Sequence, residues 1–275
     1  MTLLEYGVVS QAGFVVISGE IGAGKTTIIR HFLKNMGHDL SVGVITNPSA
    51  STGKLFDWIA LAFDIKARGV NDTTLYDSIV QFLLAQYAKG KRTILIVDEA
   101  QNLTSAMLED LRMLSNVNNE GDMLLQMVLV GQPELLDTLR RPDLRQFVQR
   151  ITVHCHLDPL TAVETIAYIR YRLDLVKGSS DLFDERACAA VHYFTGGVPR
   201  LINLLCDQAL VYGFSEDLPK ITFETVAQVV FDRSRFGLTA FHNVEQEISM
   251  NGLKNKVDTL LEDIRRGGLT SGAML

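Results

Sequence analysis

The 275-residue chain predicts an α/β unit with a mainly parallel central sheet followed by an all-α unit, and three observations carry that expectation. Short runs, apolar at Phe14 to Ile17, β-branched and leucine at Thr93 to Val97 and almost wholly apolar at Leu124 to Val130, alternate with stretches of helical spacing, as strands covered on both faces require. The first run leads into a glycine-rich loop and then into Ile28, Ile29, Phe32 and Leu33 at helical spacing. Beyond Pro159 strand signals stop and only helical patterns follow. Strands joined through helices imply a parallel sheet with helices on both faces.

In order, Ser41 to Thr46 reads as a second strand ended by Asn47-Pro48, because proline stops the ladder. Helices are expected from about Thr52 to Phe63 and from Thr73 to Tyr87, the latter ended at Gly90. Thr93 to Val97 is the third strand, Ser105 to Leu114 a helix, and Asn116 to Asp122 a polar turn. Leu124 to Val130 forms another strand closed by Gly131-Gln132-Pro133, a short helical stretch interrupted at Pro142 follows, and Ile151 to His156 is the last strand. Helical patterns then occupy Thr161–Lys177, Asp184–Phe194, Val198–Gly213 and Thr222–Phe231. After Gly237, Leu253, Val257, Leu260 and Ile264 mark one amphipathic helix, read either as packing on the chain's own body or as docking on a partner. The expected division is 1–159 for the α/β unit, 160–236 for the helical unit, and 237–275 for the amphipathic helix and a flexible tail.

The loop Gly19-Glu20-Ile21-Gly22-Ala23-Gly24-Lys25-Thr26 fits G-x-x-x-x-G-K-[ST], and Thr27 continues it into the helix. In that pattern backbone N–H groups and a helix N-terminus face phosphate oxygens, the lysine reaches the β- and γ-phosphates, and the hydroxyl of Thr26 ligates Mg²⁺. The strand before it and the helix after it supply the context the pattern needs. At the end of the third strand, Asp98 is placed to hold Mg²⁺ through water and Glu99 to polarise a water for in-line attack. Gln132 stands at the tip of the next strand, within reach of the γ-phosphate or that water, and Asn47 at another tip is a candidate partner for Glu99. Arg145 and Arg150 precede the last strand and suit a cation supplied across a subunit boundary, while Arg200 follows Pro199 at a helix start.

Composition bounds the rest. A net charge of −6 disfavours coating of nucleic acid through bulk charge. Cys155, Cys188 and Cys206 are odd in number and far apart, which suits reduced core thiols rather than a disulfide framework or a zinc site. No run nears the ~18 apolar residues of a membrane helix, and no basic region leads into an apolar signal segment. A cytoplasmic location is the expectation.

Four segments taken together, Gly19–Thr27, Val97–Leu103, Leu124–Leu135 and Gly196–Asn203, resemble the AAA+ ATPases of the general secretion pathway protein A group. The resemblance implies an ATP-hydrolysing P-loop domain with a helical lid, with ATP and Mg²⁺ bound. It matches Asp98 and Glu99 to the second nucleotide motif, Gln132 to the first sensor and Arg200 to the lid sensor. Arg150 fits the trans-acting finger first and Arg145 next. It further implies a homo-oligomer, ring or filament, acting on a protein partner in envelope secretion, pilus or exopolysaccharide export. The alternative is an ATP-dependent DNA-binding regulator similar to transposition target-selection ATPases, with nucleic acid as partner. Family members build part of the adenine pocket from chain ahead of the loop, where this sequence has Met1 to Ser18. Secretion members also contain a membrane helix and a cell-wall-binding domain, and the expectation from these 275 residues is that neither is matched here.

Overall fold

The structure is a computed structural model that describes residues 13–35, 39–49, 53–66, 71–119, 122–237, 240–244 and 250–268. The chain divides after Leu157 into two compact units. The stretch ahead of Gly13, the expected helix start at Thr52, the tip of the Asn116–Asp122 turn and the expected flexible tail beyond Gly268 lie outside the described residues.

The first unit is built on strands β1 (Phe14–Gly19), β2 (Leu40–Thr46), β3 (Arg92–Asp98), β6 (Leu125–Gly131) and β7 (Ile151–Leu157), with a small antiparallel pair, β4 (Asn118–Asn119) and β5 (Asp122–Met123), between β3 and β6 in sequence. The larger sheet is parallel throughout, in the order β2-β3-β6-β1-β7. The polar turn after the fourth helix thus pairs its own ends, Asn118 with Met123 and Asn119 with Asp122, where polarity alone had pointed to an irregular turn.

Helices α1 (Lys25–Asn35), α2 (Leu55–Ala62), α3 (Asp72–Ala88), α4 (Ser105–Leu114), α5 (Glu134–Leu139) and α6 (Arg145–Val148) connect the strands. Alternation along the strands sorts the core into two layers. Phe14, Val16, Leu95, Val97, Met127 and Leu129 pack with α2 to α5, whereas Val15, Ile17, Ile94, Ile96, Val128 and Val130 pack with Ile29 and Phe32 of α1. Every residue of β1 and β6 is buried, which is why these strands read as almost wholly apolar runs, broken only by Ser18 and Gln126. Helix starts are fixed locally: the Asn71 side chain accepts from Thr74 N ahead of α3, and Thr104 from Met107 N ahead of α4, each contributing about 1 kcal/mol.

The second unit contains α7 (Ala162–Leu175), α8 (Glu185–Thr195), α9 (Pro199–Ser215), α10 (Phe223–Arg235) and α11 (Met250–Gly268). A reciprocal capping box opens α7, with Glu164 N donating to Thr161 Oγ1 at 3.3 Å and Thr161 N to the Glu164 carboxylate at 2.8 Å. The bonds that Thr161 N and Thr161 Oγ1 donate to the Glu164 carboxylate hold that carboxyl below its ordinary range. The amphipathic C-terminal helix packs on α8, burying Leu253, Val257 and Leu261, so of the alternatives open in the sequence it takes the chain's own body. Arg186–Asp258 and Arg265–Glu185 pair across that contact. Being exposed, they orient the helix more than they stabilise it. Among the described residues, no helix is long and apolar enough to cross a membrane.

Candidate active site

Sheet order places the site. Strands β3, β6 and β1 are neighbours and parallel, so their C-terminal tips lie side by side. The tips bear Asp98 and Glu99, then Gln132, then the Gly19–Thr26 loop. A crevice outside the carboxyl ends of parallel strands is where open α/β sheets bind ligands.

The loop turns through Ala23 N donating to Glu20 O at 3.1 Å and passes into α1 with Ile28 N donating to Gly24 O at 3.1 Å. Gly24 has φ +96°, a conformation that a side chain disfavours, so glycine is demanded by the backbone here. Lys25 is 8% exposed. Its ammonium donates to the loop's own carbonyls, Gly19 O at 2.7 Å and Glu20 O at 2.9 Å. Burial pulls its pKa down, against the raising influence of Glu99 and Asp98. A buried ammonium held on carbonyls of the loop has only to exchange these acceptors for phosphate oxygens. Glu20, Ile21, Thr26 and Thr27 are exposed at the loop surface, and Gly22 and Ala23 half-buried.

The Thr26 hydroxyl donates to Asp98 Oδ2 at 3.0 Å, and Asp98 Oδ1 accepts from Glu99 N at 3.0 Å. A hydroxyl and a carboxylate in direct contact beside a phosphate loop are the hard oxygen donors that Mg²⁺ takes, with the remaining positions left to water and phosphate. The donor set therefore fits that ion.

Glu99 adopts the left-handed conformation, φ 56° and ψ 40°. A non-glycine residue there costs roughly 1 kcal/mol or more and is a feature of functional sites. The turn brings its carboxylate to Gln101 and Gln132: Oε2 accepts from Gln101 Nε2 at 2.5 Å and from Gln132 Nε2 at 3.1 Å. The Gln101 bond holds this carboxyl below its ordinary range against the effect of burial, and the Gln132 bond and the charge of Lys25 act in the same direction. The site thus holds an ionised carboxylate.

Asn47 does not meet Glu99. Its Oδ1 accepts from Asn102 Nδ2 at 2.9 Å, because the 3₁₀ turn Ala100–Asn102 after β3 offers Asn102 toward β2 and Gln101 toward β6. The expected partner is thereby corrected to Gln101, a residue that sequence reading passed over. Its only signal was its place two residues after Glu99.

Among the described residues, Arg150 and Arg145 take no part in this hydrogen-bonded cluster. Arg150 donates to Ser115 Oγ at 3.1 Å and to Asn116 Oδ1, just after α4 and ahead of β7, toward the opposite end of the strands from Lys25. Arg145 opens α6 with an exposed side chain. Arg200 is the second residue of α9 in the second unit. Beside the loop, the fully buried Ser18 Oγ lies 2.9 Å from His154 Nε2 and 2.8 Å from His156 Nδ1. These links tie β7 to the residue preceding Gly19.

Residues 8–139 match the family model described as an AAA domain. The chain is 40% identical over 234 residues, 84% of its length, to the curated General secretion pathway protein A of Aeromonas hydrophila. The chain belongs to the AAA+ ATPase family. It spans 42% of the length of that curated relative.

Solved structures share the fold. The Aeropyrum pernix ORC2 protein in its ADPNP–ADP complexes is matched with TM-score 0.63 at 15% identity, over 90% of this chain and 69% of that one. Cdc6p from Pyrobaculum aerophilum gives 0.64 at 15% identity over 97% and 84%. The Thermotoga maritima RuvB Holliday junction branch migration motor gives 0.53 at 19% over 94% and 80%. A P-loop ATPase fold with a helical C-terminal region is common to them and to this AAA+ chain.

Proposed function

We propose that the chain binds ATP with Mg²⁺ and hydrolyses it, and that the energy drives remodelling of a protein partner in envelope export. The observation that supports this best is the meeting of an ionised Glu99, Thr26 with Asp98, and Lys25 at adjacent strand tips. Lys25 exchanges its carbonyl partners for β- and γ-phosphate oxygens. Thr26, and Asp98 through water, would hold Mg²⁺, which would supply neutralisation of phosphate charge. Glu99 Oε1 takes a proton from the attacking water as its oxygen bonds to the γ-phosphorus. The bond from that phosphorus to the bridging oxygen breaks, and the electron pair leaves on ADP. Gln132 orients the γ-phosphate side of the water.

Further roles rest on the resemblance: Arg150 or Arg145 reaching a neighbouring subunit's nucleotide in a ring or filament, and Arg200 as the sensor of the helical unit. An export role is supported by the name of the 40% identical relative, and dependence on ATP puts the site in the cytoplasm. Phosphate release from Mg²⁺-ATP tests the activity: the chain should turn over and Lys25→Met should not. A parent chain without Mg²⁺-dependent release refutes the reading. Duplex DNA titrated across a salt series tests the other partner class, since steeply salt-dependent activation would replace the protein partner with nucleic acid.

A further inference from the structure

The polar ring at the tips of β3 and β6 contains one residue for which the reading above has no use. Gln101 makes two directed bonds with its single amide: Nε2 donates to Glu99 Oε2 at 2.5 Å, and Oε1 accepts from Gln132 N at 3.1 Å. The orientation of that amide follows from its partners. A backbone N–H can only donate, so the atom facing it is the carbonyl oxygen, and the NH₂ is left for the carboxylate. Gln132 closes the ring with its own Nε2 on the same Glu99 oxygen at 3.1 Å. Both amides therefore hold Oε2, which restrains the carboxylate and leaves Oε1 as the oxygen not engaged by either amide.

We propose that Gln101 is a positioning residue that orients the Glu99 carboxylate for proton abstraction and locks it to the strand tip bearing Gln132. The geometry explains why an amide is needed. Glu99 sits on a left-handed turn, and its backbone alone leaves the carboxylate free to rotate. A general base gains only when its acceptor oxygen is held in line with the proton it takes. Gln101 supplies that restraint from within the same turn, and it couples the restraint to β6 because the Gln132 backbone is its second partner. Close packing supports the arrangement: a Cβ on Gly131 would lie 3.0 Å from Gln101 Oε1, so the amide is seated against the strand end. The proposal rests on Glu99 being the base, and the test separates the two.

Single-turnover hydrolysis of saturating Mg²⁺-ATP is measured for the parent, Gln101→Leu, Gln101→Glu, Glu99→Gln and the double variant Glu99→Gln/Gln101→Leu, together with the Kd of a fluorescent ATP analogue. Gln101→Leu should slow hydrolysis about tenfold, the weight of one hydrogen bond to a charged group, with the Kd unchanged. Gln101→Glu keeps the acceptor for Gln132 N but sets a carboxylate against Glu99, so it should slow hydrolysis at least as much; it carries the test if the leucine variant does not fold. The double variant should be no slower than Glu99→Gln alone, because a residue that acts through Glu99 has nothing left to orient. Glu99→Gln as fast as the parent overturns the base reading itself. Glu99→Gln slow with either Gln101 variant as fast as or faster than the parent overturns the positioning role alone. Additive losses in the double variant, or a weakened Kd in Gln101→Leu, do the same by making Gln101 a structural residue.

Discussion

Replacing Glu99 by glutamine should separate binding from chemistry at this site. The new side chain has the same shape, and its carbonyl oxygen can accept from Gln101 Nε2 and Gln132 Nε2 as Oε2 does at 2.5 and 3.1 Å. Its NH₂ then points where Oε1 had been, a donor in place of the acceptor that takes the water's proton. Lys25, Thr26 and Asp98 keep their contacts, and one negative charge is removed near the phosphates, so ATP affinity should hold or rise. Loss of general-base action alone is worth about 10² to 10⁴ in rate, or ~2.7 to 5.4 kcal/mol at ~1.36 kcal/mol per decade. Stopped-flow phosphate release at saturating Mg²⁺-ATP measures the rate, and equilibrium titration the affinity. A rate within twofold of the parent would remove Glu99 from the base role. The variant also loses a pH dependence of stability. The folded-state carboxyl lies below its ordinary value, so its stabilisation is fully present above the unfolded pKa of about 4.3 and fades as pH falls through the folded value.

The arginines are separable by mixing. Arg150→Ala and Arg145→Ala should each leave nucleotide binding intact, and the one that serves a neighbour should slow hydrolysis by about 10³. Only that variant should regain activity when mixed with Glu99→Gln protein, and a failure at every ratio would refute action in trans. Arg150→Ala should also lower the melting temperature, since its guanidinium ties β7's approach to Ser115 and Asn116. Gly197→Ala should destabilise the second unit by about 3 kcal/mol, combining a left-handed alanine with a lost hydrogen bond and overlap. There φ is +77°, a Cβ would fall 1.9 Å from Leu160 O, and Leu160 N donates to Gly197 O at 2.9 Å. Unchanged urea unfolding of the variant would contradict this.

The sequence by itself determined the five strands of the larger sheet, the phosphate loop and the acids, because each is written in adjacent residues. Buried strands announce themselves as almost wholly apolar runs, and a loop that needs φ +96° at Gly24 announces itself with glycine. Asp98 and Glu99 were legible for the same reason, lying where an apolar run stops. Tertiary structure decided which tips meet. The strand order β2-β3-β6-β1-β7 is a long-range pairing that no local pattern encodes, and it sets Gln132 against Glu99 while giving Asn47 to Asn102. Gln101 was invisible for that reason: an amide two residues past an acid is an ordinary turn residue until a neighbouring strand presents a backbone N–H to its carbonyl. The docking of α11 was likewise undecided in the sequence, since an apolar stripe states only that a surface will be covered. The complementary face of α8, with Glu185 and Arg186 placed to pair with Arg265 and Asp258, made that surface the chain's own.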